Sequence, residues 1–305
     1  MNSVIHLVGR GSQGRAWDEC LRRTGRQVLV YHRGNSASLP SGLSSRSRDQ
    51  VQIVVLACAD DAIASVYNEH LRSVDAPLLC VLLHGFAVYS GSLPKTALAS
   101  NHALALLAPK AIGPELRTEF FEHFPHPHDL KAALHLEAHS ELLRETFREA
   151  LSTLARDLGF ATHNLIPATF EKETVGDLIS EQGLLCGGVF TLLDATLERM
   201  MDAGVPPRLA REECFKELEL IAKMLTSKGF SPTFQAISAA AKAGTVRMRE
   251  LLEKFPARSA IHQASQEILN KEFVTFFENN RWKPLAAELA ARFEKWDKKL
   301  EESPK

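Results

Sequence analysis

Short apolar runs separated by polar, helix-like stretches make up the first half of the chain. Val4–Val8, Gln27–His32, Val51–Ala57, Pro77–Leu83 and His102–Leu107 are rich in β-branched and aliphatic residues and read as strands. Between the first two, Gln13–Arg23 has the look of a helix, with Gly25 placed as its C-cap. Ala132–Ala138 and Phe160–His163 are further strand candidates, with a helix over Leu142–Leu158 between them. Strands alternating with helices imply a mostly parallel sheet covered on both faces. From about Ala168 the pattern changes to helix throughout, with breaks near Gly204–Pro207 and Gly229–Pro232. The boundary is therefore placed at 168, giving an α/β domain over 1–167 and an all-α domain over 168–305. No fixed-period repeat is evident, and the charged tail Lys298–Lys305 is expected to fray.

Composition narrows the classes without naming a function. With 305 residues, 45% hydrophobic and 24% charged, the chain suits two globular domains. A formal net charge of -1 supplies no electrostatic reason for nucleic acid or an anionic membrane as partner. No uninterrupted apolar run reaches membrane-spanning length, and the N-terminus lacks the pattern of a signal peptide. Cys20, Cys58, Cys80, Cys186 and Cys214 are odd in number and scattered, as expected of buried free thiols in a reducing, cytoplasmic setting.

The first chemistry-bearing segment is Gly9-Arg10-Gly11-Ser12-Gln13-Gly14, a GxGxxG run between a strand and a helix. Its first glycine permits the tight turn, the second lets backbone approach a pyrophosphate, and the third lets helix and strand pack closely. This makes the first domain Rossmann-type. The end of the second strand, Tyr31-His32-Arg33-Gly34-Asn35-Ser36-Ala37-Ser38, has no acid to bind a ribose 2′-hydroxyl. Arg33 can clamp a 2′-phosphate and Ser36 and Ser38 can donate to it, so NADPH is favoured. The alternative is a solvated Ser-rich loop.

The helical half holds two carboxylate pairs, Asp177/Glu181 and Glu213/Glu217, each four residues apart. On a helix such like charges stack on one face and repel unless something neutralises them. Continuing the second stripe gives Leu220 and Met224, and continuing the first gives Leu184 and Gly188, so both pairs head faces expected to be buried. Oxygen donors without matching His or Cys point to Mg²⁺ before Zn²⁺. Pairing with Lys or Arg from another helix explains the same spacing. Gly187-Gly188 is expected to admit a close-packed neighbouring helix.

Taken together, several segments resemble the ketol-acid reductoisomerases. They are Ala168–Gln182, Leu184–Val189, Glu213–Leu218, Ala236–Ser238, Gly11–Gly14, His84-Gly85-Phe86 and Ala108-Pro109-Lys110. The similarity runs from about residue 4 to 240, in the family's short form. The resemblance implies that Asp177 and Glu181 bind two Mg²⁺ from one subunit and that Glu213 and Glu217 complete the site from its partner, in a homodimer with shared active sites. It further implies that Ser238 contacts the substrate carboxylate, that His84 and Lys110 line the space between nicotinamide and metals, and that Glu217 joins them in catalysis. The second domain would be a knotted helical bundle. The implied reaction is alkyl migration in a 2-acetohydroxy acid such as 2-acetolactate, then hydride delivery from NADPH, in branched-chain amino acid synthesis.

Two places depart from the family pattern. Ala111-Ile112-Gly113-Pro114 replaces the usual Gly-Pro-Gly-His after Lys110, and Ala239–Gly244 replaces Thr-Ala-Glu-Tyr-Gly-Asp after Ser238. An alternative activity is therefore plain NADPH-dependent reduction of small 2-keto acids without the isomerase step. His123, His126, His128 and Asp129 cluster between prolines and read as a loop rather than a metal site.

Overall fold

The structure, a computed structural model, describes residues 4–35, 38, 39, 43, 50–254, 257–280 and 282–301. The chain divides into two compact units, Met1–Val175 and Gly176–Lys305. The first is built on a seven-stranded sheet of order β2-β1-β3-β4-β5-β6-β7. Its strands are β1 (Ile5–Val8), β2 (Val28–Tyr31), β3 (Gln52–Leu56), β4 (Leu78–Leu82), β5 (His102–Pro109), β6 (Ala132–Ala138) and β7 (Leu165–Pro167). All neighbours pair parallel except β5 and β6, which are antiparallel.

The apolar strands are continuous because both faces of the sheet are covered. Ile53, Val55, Leu79, Val81, Ala103, Ala105 and Leu107 enter one core with Trp17, Phe120 and Phe147. The alternate residues Val54, Leu56, Leu78, Cys80, Leu82, Leu104 and Leu106 enter the other with Tyr67 and Phe170. A two-residue side-chain period thus feeds two cores from each strand. Helices α1 (Ser12–Arg23), α4 (Gly113–His123) and α5 (Glu141–Asp157) supply the first core; α2 (Asp60–Val66) and α3 (Phe86–Tyr89) lie on the second. Gly25 takes φ +82 just past α1, as a C-terminal stop requires.

The last strand is displaced from its expected place. Phe160 makes one isolated bridge to His128, Thr162–Asn164 form a 3₁₀ turn, and β7 is Leu165–Pro167. Pro167 is acceptable there because β7 is an edge strand, where the missing N–H interrupts no ladder. Asn164 explains the turn, donating to the His128 carbonyl at 3.0 Å.

The second unit is helical. A continuous run from Phe170 to Asp202 comprises α6 (Phe170–Ser180), a π-helical stretch (Glu181–Val189) and α7 (Phe190–Asp202). After the break at Gly204 follow α8 (Pro207–Arg211), a π turn (Glu212–Lys216) and α9 (Glu217–Lys228). Gly229, at φ +79, separates α9 from α10 (Phe230–Ala236); α11 (Ala239–Lys254), α12 (Ala257–Leu269), α13 (Glu272–Glu278) and α14 (Trp282–Glu301) complete the unit. Leu197, Ala210, Cys214 and Leu300 form a small core there, and Asp194 accepts from both Arg292 and Trp296. The expected fraying from Lys298 is not found through Glu301, which lies in α14; 302–305 are outside the described residues.

Three burial expectations need correction. Leu184 is 61% exposed and Leu220 43%, and Glu181, Glu213 and Glu217 are exposed, so the faces these acids head are uncovered in the single chain. Cys186 is exposed and Cys58 half-buried, so not every thiol is a core residue. The Gly187-Gly188 pair admits no second helix. A Cβ on Gly187 would lie 2.0 Å from the Gln182 carbonyl oxygen, and one on Gly188 2.6 Å from that of Gly183. Both clashes are with the helix's own backbone five residues back, where a π turn presses the chain on itself. The run Phe170–Asp202, at 33 residues, is also long and apolar enough to cross a membrane by length and composition.

Candidate active site

The glycine loop sits where the strand order reverses between β1 and β3. Gly9 has φ +113, and a Cβ there would lie 2.2 Å from the Ala57 carbonyl oxygen at the end of β3. A Cβ on Gly14 would lie 2.6 Å from the Gly9 oxygen, whereas one on Gly11 meets nothing within 4 Å. Two glycines are therefore closed by protein, and the middle one faces open space at the N-terminus of α1. That is the cradle a pyrophosphate needs, backbone N–H groups and helix dipole together. Neighbouring Cys58 is no nucleophile, because burial pushes its thiol up to about 11.

The turn after β2 holds Arg33 at the surface. Asn35 organises it, with Oδ1 accepting from the His32 N–H at 2.5 Å and Nδ2 donating to the Val30 carbonyl. Ser38 Oγ donates to the Asn35 carbonyl at 2.7 Å, so this hydroxyl helps build the turn itself. Ser36 lies outside the described residues.

His84 and Lys110 follow the adjacent parallel strands β4 and β5, at the carboxyl edge where open α/β sheets bind ligands. Helix α6 locks against this edge through Phe170, buried in the second core. Gly85 approaches it so closely that a Cβ would lie 2.5 Å from both the Phe170 carbonyl oxygen and Thr174 Oγ1. The contact seats Glu173 under the two loops. Its Oε2 accepts from the Gly85 N–H at 3.0 Å and its Oε1 from Lys110 Nζ at 2.8 Å, with His84 Nε2 at 3.7 Å. The Glu173 side chain is 1% exposed and that of Lys110 38%, so a buried anion anchors a cation that reaches solvent.

Glu173 was not among the residues singled out from the sequence. The signal was present: it precedes Asp177 by four, just as Asp177 precedes Glu181. A ligand atom from each of His84, Glu173 and Asp177 lies within 4.8 Å of the others, the half-buried Asp177 standing one turn along the same helix. Hard carboxylate oxygens suit a divalent cation such as Mg²⁺. With Glu173 already bonded to Gly85 and Lys110, Asp177 is the better ligand. Among the described residues no such group includes Glu181, Glu213 or Glu217. Ser238 is exposed and its Oγ accepts from the Ala241 N–H at 3.1 Å, capping α11. Near Pro125, His128 is buried with Nε2 2.9 Å from the Leu158 carbonyl and His123 bonds the Glu119 carbonyl, as befits a structural loop.

Comparison with known proteins bears on this geometry. Residues 1–143 match the NADPH-binding domain of acetohydroxy acid isomeroreductase, and residues 170–305 match the C-terminal domain of ketol-acid reductoisomerase. The chain belongs to the ketol-acid reductoisomerase family. A ketol-acid reductoisomerase (NADP(+)) of Methanococcus maripaludis is 27% identical over 285 residues, covering 90% of this chain and 83% of the relative. A ketol-acid reductoisomerase (NAD(P)(+)) of Metallosphaera sedula is 29% identical over 309 residues, covering 98% and 88%. The solved structure of an NADH-preferring ketol-acid reductoisomerase from an uncultured archaeon superposes with TM-score 0.77 at 21% identity, over 98% of this chain and 92% of that one. The architecture read from the sequence, a Rossmann-type domain followed by a helical one, is thus a ketol-acid reductoisomerase fold. As a member of that family the chain is an oxidoreductase, with NADPH as the cofactor of its first domain.

Proposed function

We propose that this enzyme converts a 2-acetohydroxy acid, 2-acetolactate in the first instance, into a 2,3-dihydroxy acid in branched-chain amino acid synthesis. The observation that carries the reading is the Lys110–Glu173–Gly85 cluster at the carboxyl edge of β4 and β5, with Asp177 one turn further along α6. In this reading two Mg²⁺ are held by Asp177 and Glu181, with Glu213 and Glu217 from a second copy. When bound, they polarise the ketone and hydroxyl oxygens for alkyl migration.

The chain's own groups do the rest. The glycine loop holds the cofactor's pyrophosphate, and Arg33, with Ser36 and Ser38, recognises its 2′-phosphate. Glu173 fixes Lys110 Nζ on the substrate side of the sheet edge, where the ammonium stabilises the oxygen that becomes negative as hydride arrives. His84 borders the same space, Glu217 contributes to catalysis, and Ser238 contacts the substrate carboxylate.

A homodimer is part of the proposal. Exposed Leu184, Leu185, Phe190, Leu192, Phe215 and Leu220 lie beside the exposed acids, and a second copy would cover them. The same cover accounts for the apolar run Phe170–Asp202 without a membrane, and the knotted bundle belongs to this reading. A net charge of -1 and unpaired thiols suit a small-molecule ligand and a cytoplasmic setting, without nucleic acid.

NADPH oxidation with 2-acetolactate, with and without Mg²⁺, tests the activity; a simple 2-keto acid runs in parallel. Mg²⁺-dependent turnover of acetolactate is expected. Turnover of the keto acid alone would establish the simple reductase instead, which the altered segments after Lys110 and Ser238 favour. Co-expressing Asp177→Asn with Glu217→Gln tests the shared site: each homodimer should be inactive, and the heterodimer should recover one intact site of two. Purified, folded heterodimers without activity would refute sharing.

A further inference from the structure

The second helical residue of α1, Gln13, touches more than the cofactor loop. Its Nε2 donates to the Ala111 carbonyl at 2.8 Å, one residue beyond Lys110. Its Oε1 is shut off from solvent and has no hydrogen-bond partner among the described residues. The amide orientation follows from the chemistry, since only the NH₂ end can face a carbonyl. The Ala111–Gly113 segment is pressed onto the same turn, because a Cβ on Gly113 would lie 2.4 Å from the Ser12 carbonyl oxygen and 2.7 Å from Ser12 Oγ. Only glycine allows that approach, which explains Gly113 in a segment that otherwise departs from the family pattern.

We propose that Gln13 is a positioning residue whose one amide couples cofactor binding on the glycine loop to the placement of the segment that carries Lys110. A buried acceptor without a donor is costly, and one beside a ligand cradle is accounted for when the ligand supplies the donor. The phosphates of NADPH only accept. Its donors are the ribose hydroxyls, the carboxamide of the nicotinamide and the adenine amine. Gln13 follows the pyrophosphate turn on α1, so we assign the donor to the nicotinamide–ribose half. Once Oε1 accepts from that half, the planar amide is held at both ends, and its Nε2 fixes Ala111 more firmly than in the free enzyme. Binding of the reductant then orders the segment next to Lys110, the cation that meets the reduced oxygen. The inference rests on the family's NADPH site and on the proposed role of Lys110.

Amide hydrogen exchange on the full-length protein tests it, comparing no ligand, NADPH and 2′-phospho-ADP-ribose, which lacks the nicotinamide and its amide donor. In the native chain NADPH should slow exchange at Ala111–Gly113 about tenfold, the effect of one added hydrogen bond. The truncated analogue should protect residues 9–14 but not 111–113. In Gln13→Met, NADPH should still protect 9–14, lose its effect on 111–113, and bind about tenfold more weakly by fluorescence titration. Equal NADPH protection of 111–113 in native and variant protein would overturn the coupling, as would full protection by the truncated analogue. Gln13→Glu guards against misfolding of the Met variant, since it keeps the shape but sets a carboxylate against the Ala111 carbonyl. It should speed exchange at 111–113 without any ligand, and unchanged exchange there would also overturn the proposal. Neither substrate nor Mg²⁺ enters these measurements, so their failure leaves the acetolactate test untouched.

Discussion

Glu173→Gln is the substitution that most directly tests how the active edge is held. The glutamine fits the same space, but its amide has one acceptor where the carboxylate has two. If its oxygen serves the Gly85 N–H, its NH₂ faces the Lys110 ammonium, donor against donor. Hydrogen bonds to charged groups are worth about 1.5–3 kcal/mol. Lys110 is 38% exposed, so solvent screens part of the loss and the lower half of that range applies, about 2 kcal/mol. For a unit of this size that is a fall in Tm of about 4–8 °C. Trp17 is fully buried in the first unit and reports its unfolding by fluorescence, in a background with Trp282 and Trp296 changed to Phe.

The partner substitution separates the charge effect from packing. Lys110→Met leaves a carboxylate of 1% exposure without its 2.8 Å cation and should also destabilise the unit. Adding Glu173→Gln to Lys110→Met should recover about half of that loss, because the neutral amide still serves Gly85 and confronts no ammonium. The reasoning is refuted if Glu173→Gln lies within about 0.5 kcal/mol of native, or if the two substitutions simply add.

Three further outcomes follow from the geometry. Gly9→Ala should lower stability by at least ~1–3 kcal/mol, since φ +113 and the Ala57 oxygen at 2.2 Å both oppose a side chain; Gly11→Ala should melt like native yet bind NADPH more weakly in a titration. Arg33→Ala should narrow the preference for NADPH over NADH by ~1.5–3 kcal/mol in measured Kd values, and equal native affinities would refute a 2′-phosphate site. Burial holds His102 and His128 below the usual imidazole range, so the folded state prefers them neutral and the unfolded chain takes up protons first. Their stabilisation is therefore present above about pH 6.5 and is lost as pH falls through that value toward their lower folded pKa values. Urea unfolding should give a smaller free energy at about pH 5 than at about pH 7.5, with a shallower slope in His102→Gln.

What the sequence disclosed and what it hid follows a physical division. Strands β1 to β6 were legible because each is a short apolar run bounded by turn residues, and the glycine loop because three glycines stand between a strand and a helix. The same rule failed at Phe160–His163, where Phe160 is drawn into the core beside β6 and Asn164 closes a 3₁₀ turn. Glu173 escaped because attention fell on pairs, although its spacing to Asp177 repeats theirs. Its function depends on Gly85 and Lys110, some ninety and sixty residues away, which no local pattern reveals. The burial of Leu184 and Leu220 was misjudged for a different reason. An amphipathic stripe says that a face is apolar, not which chain covers it.

The π turns change how this helical half can be edited. Each lies at a proposed metal position: Glu181 opens one, and Glu213 lies in the other with Glu217 just past its end. A π turn accommodates one more residue than the α-helix around it. Removing a single residue from Glu181–Val189 would let the run close as ordinary α-helix and swing everything downstream by about 100° around the axis. Asp194, which holds Arg292 and Trp296, would swing with it. Substitutions here test chemistry, whereas a one-residue deletion acts like a gear slipping a tooth, carrying an intact set of side chains to the wrong side of the shaft.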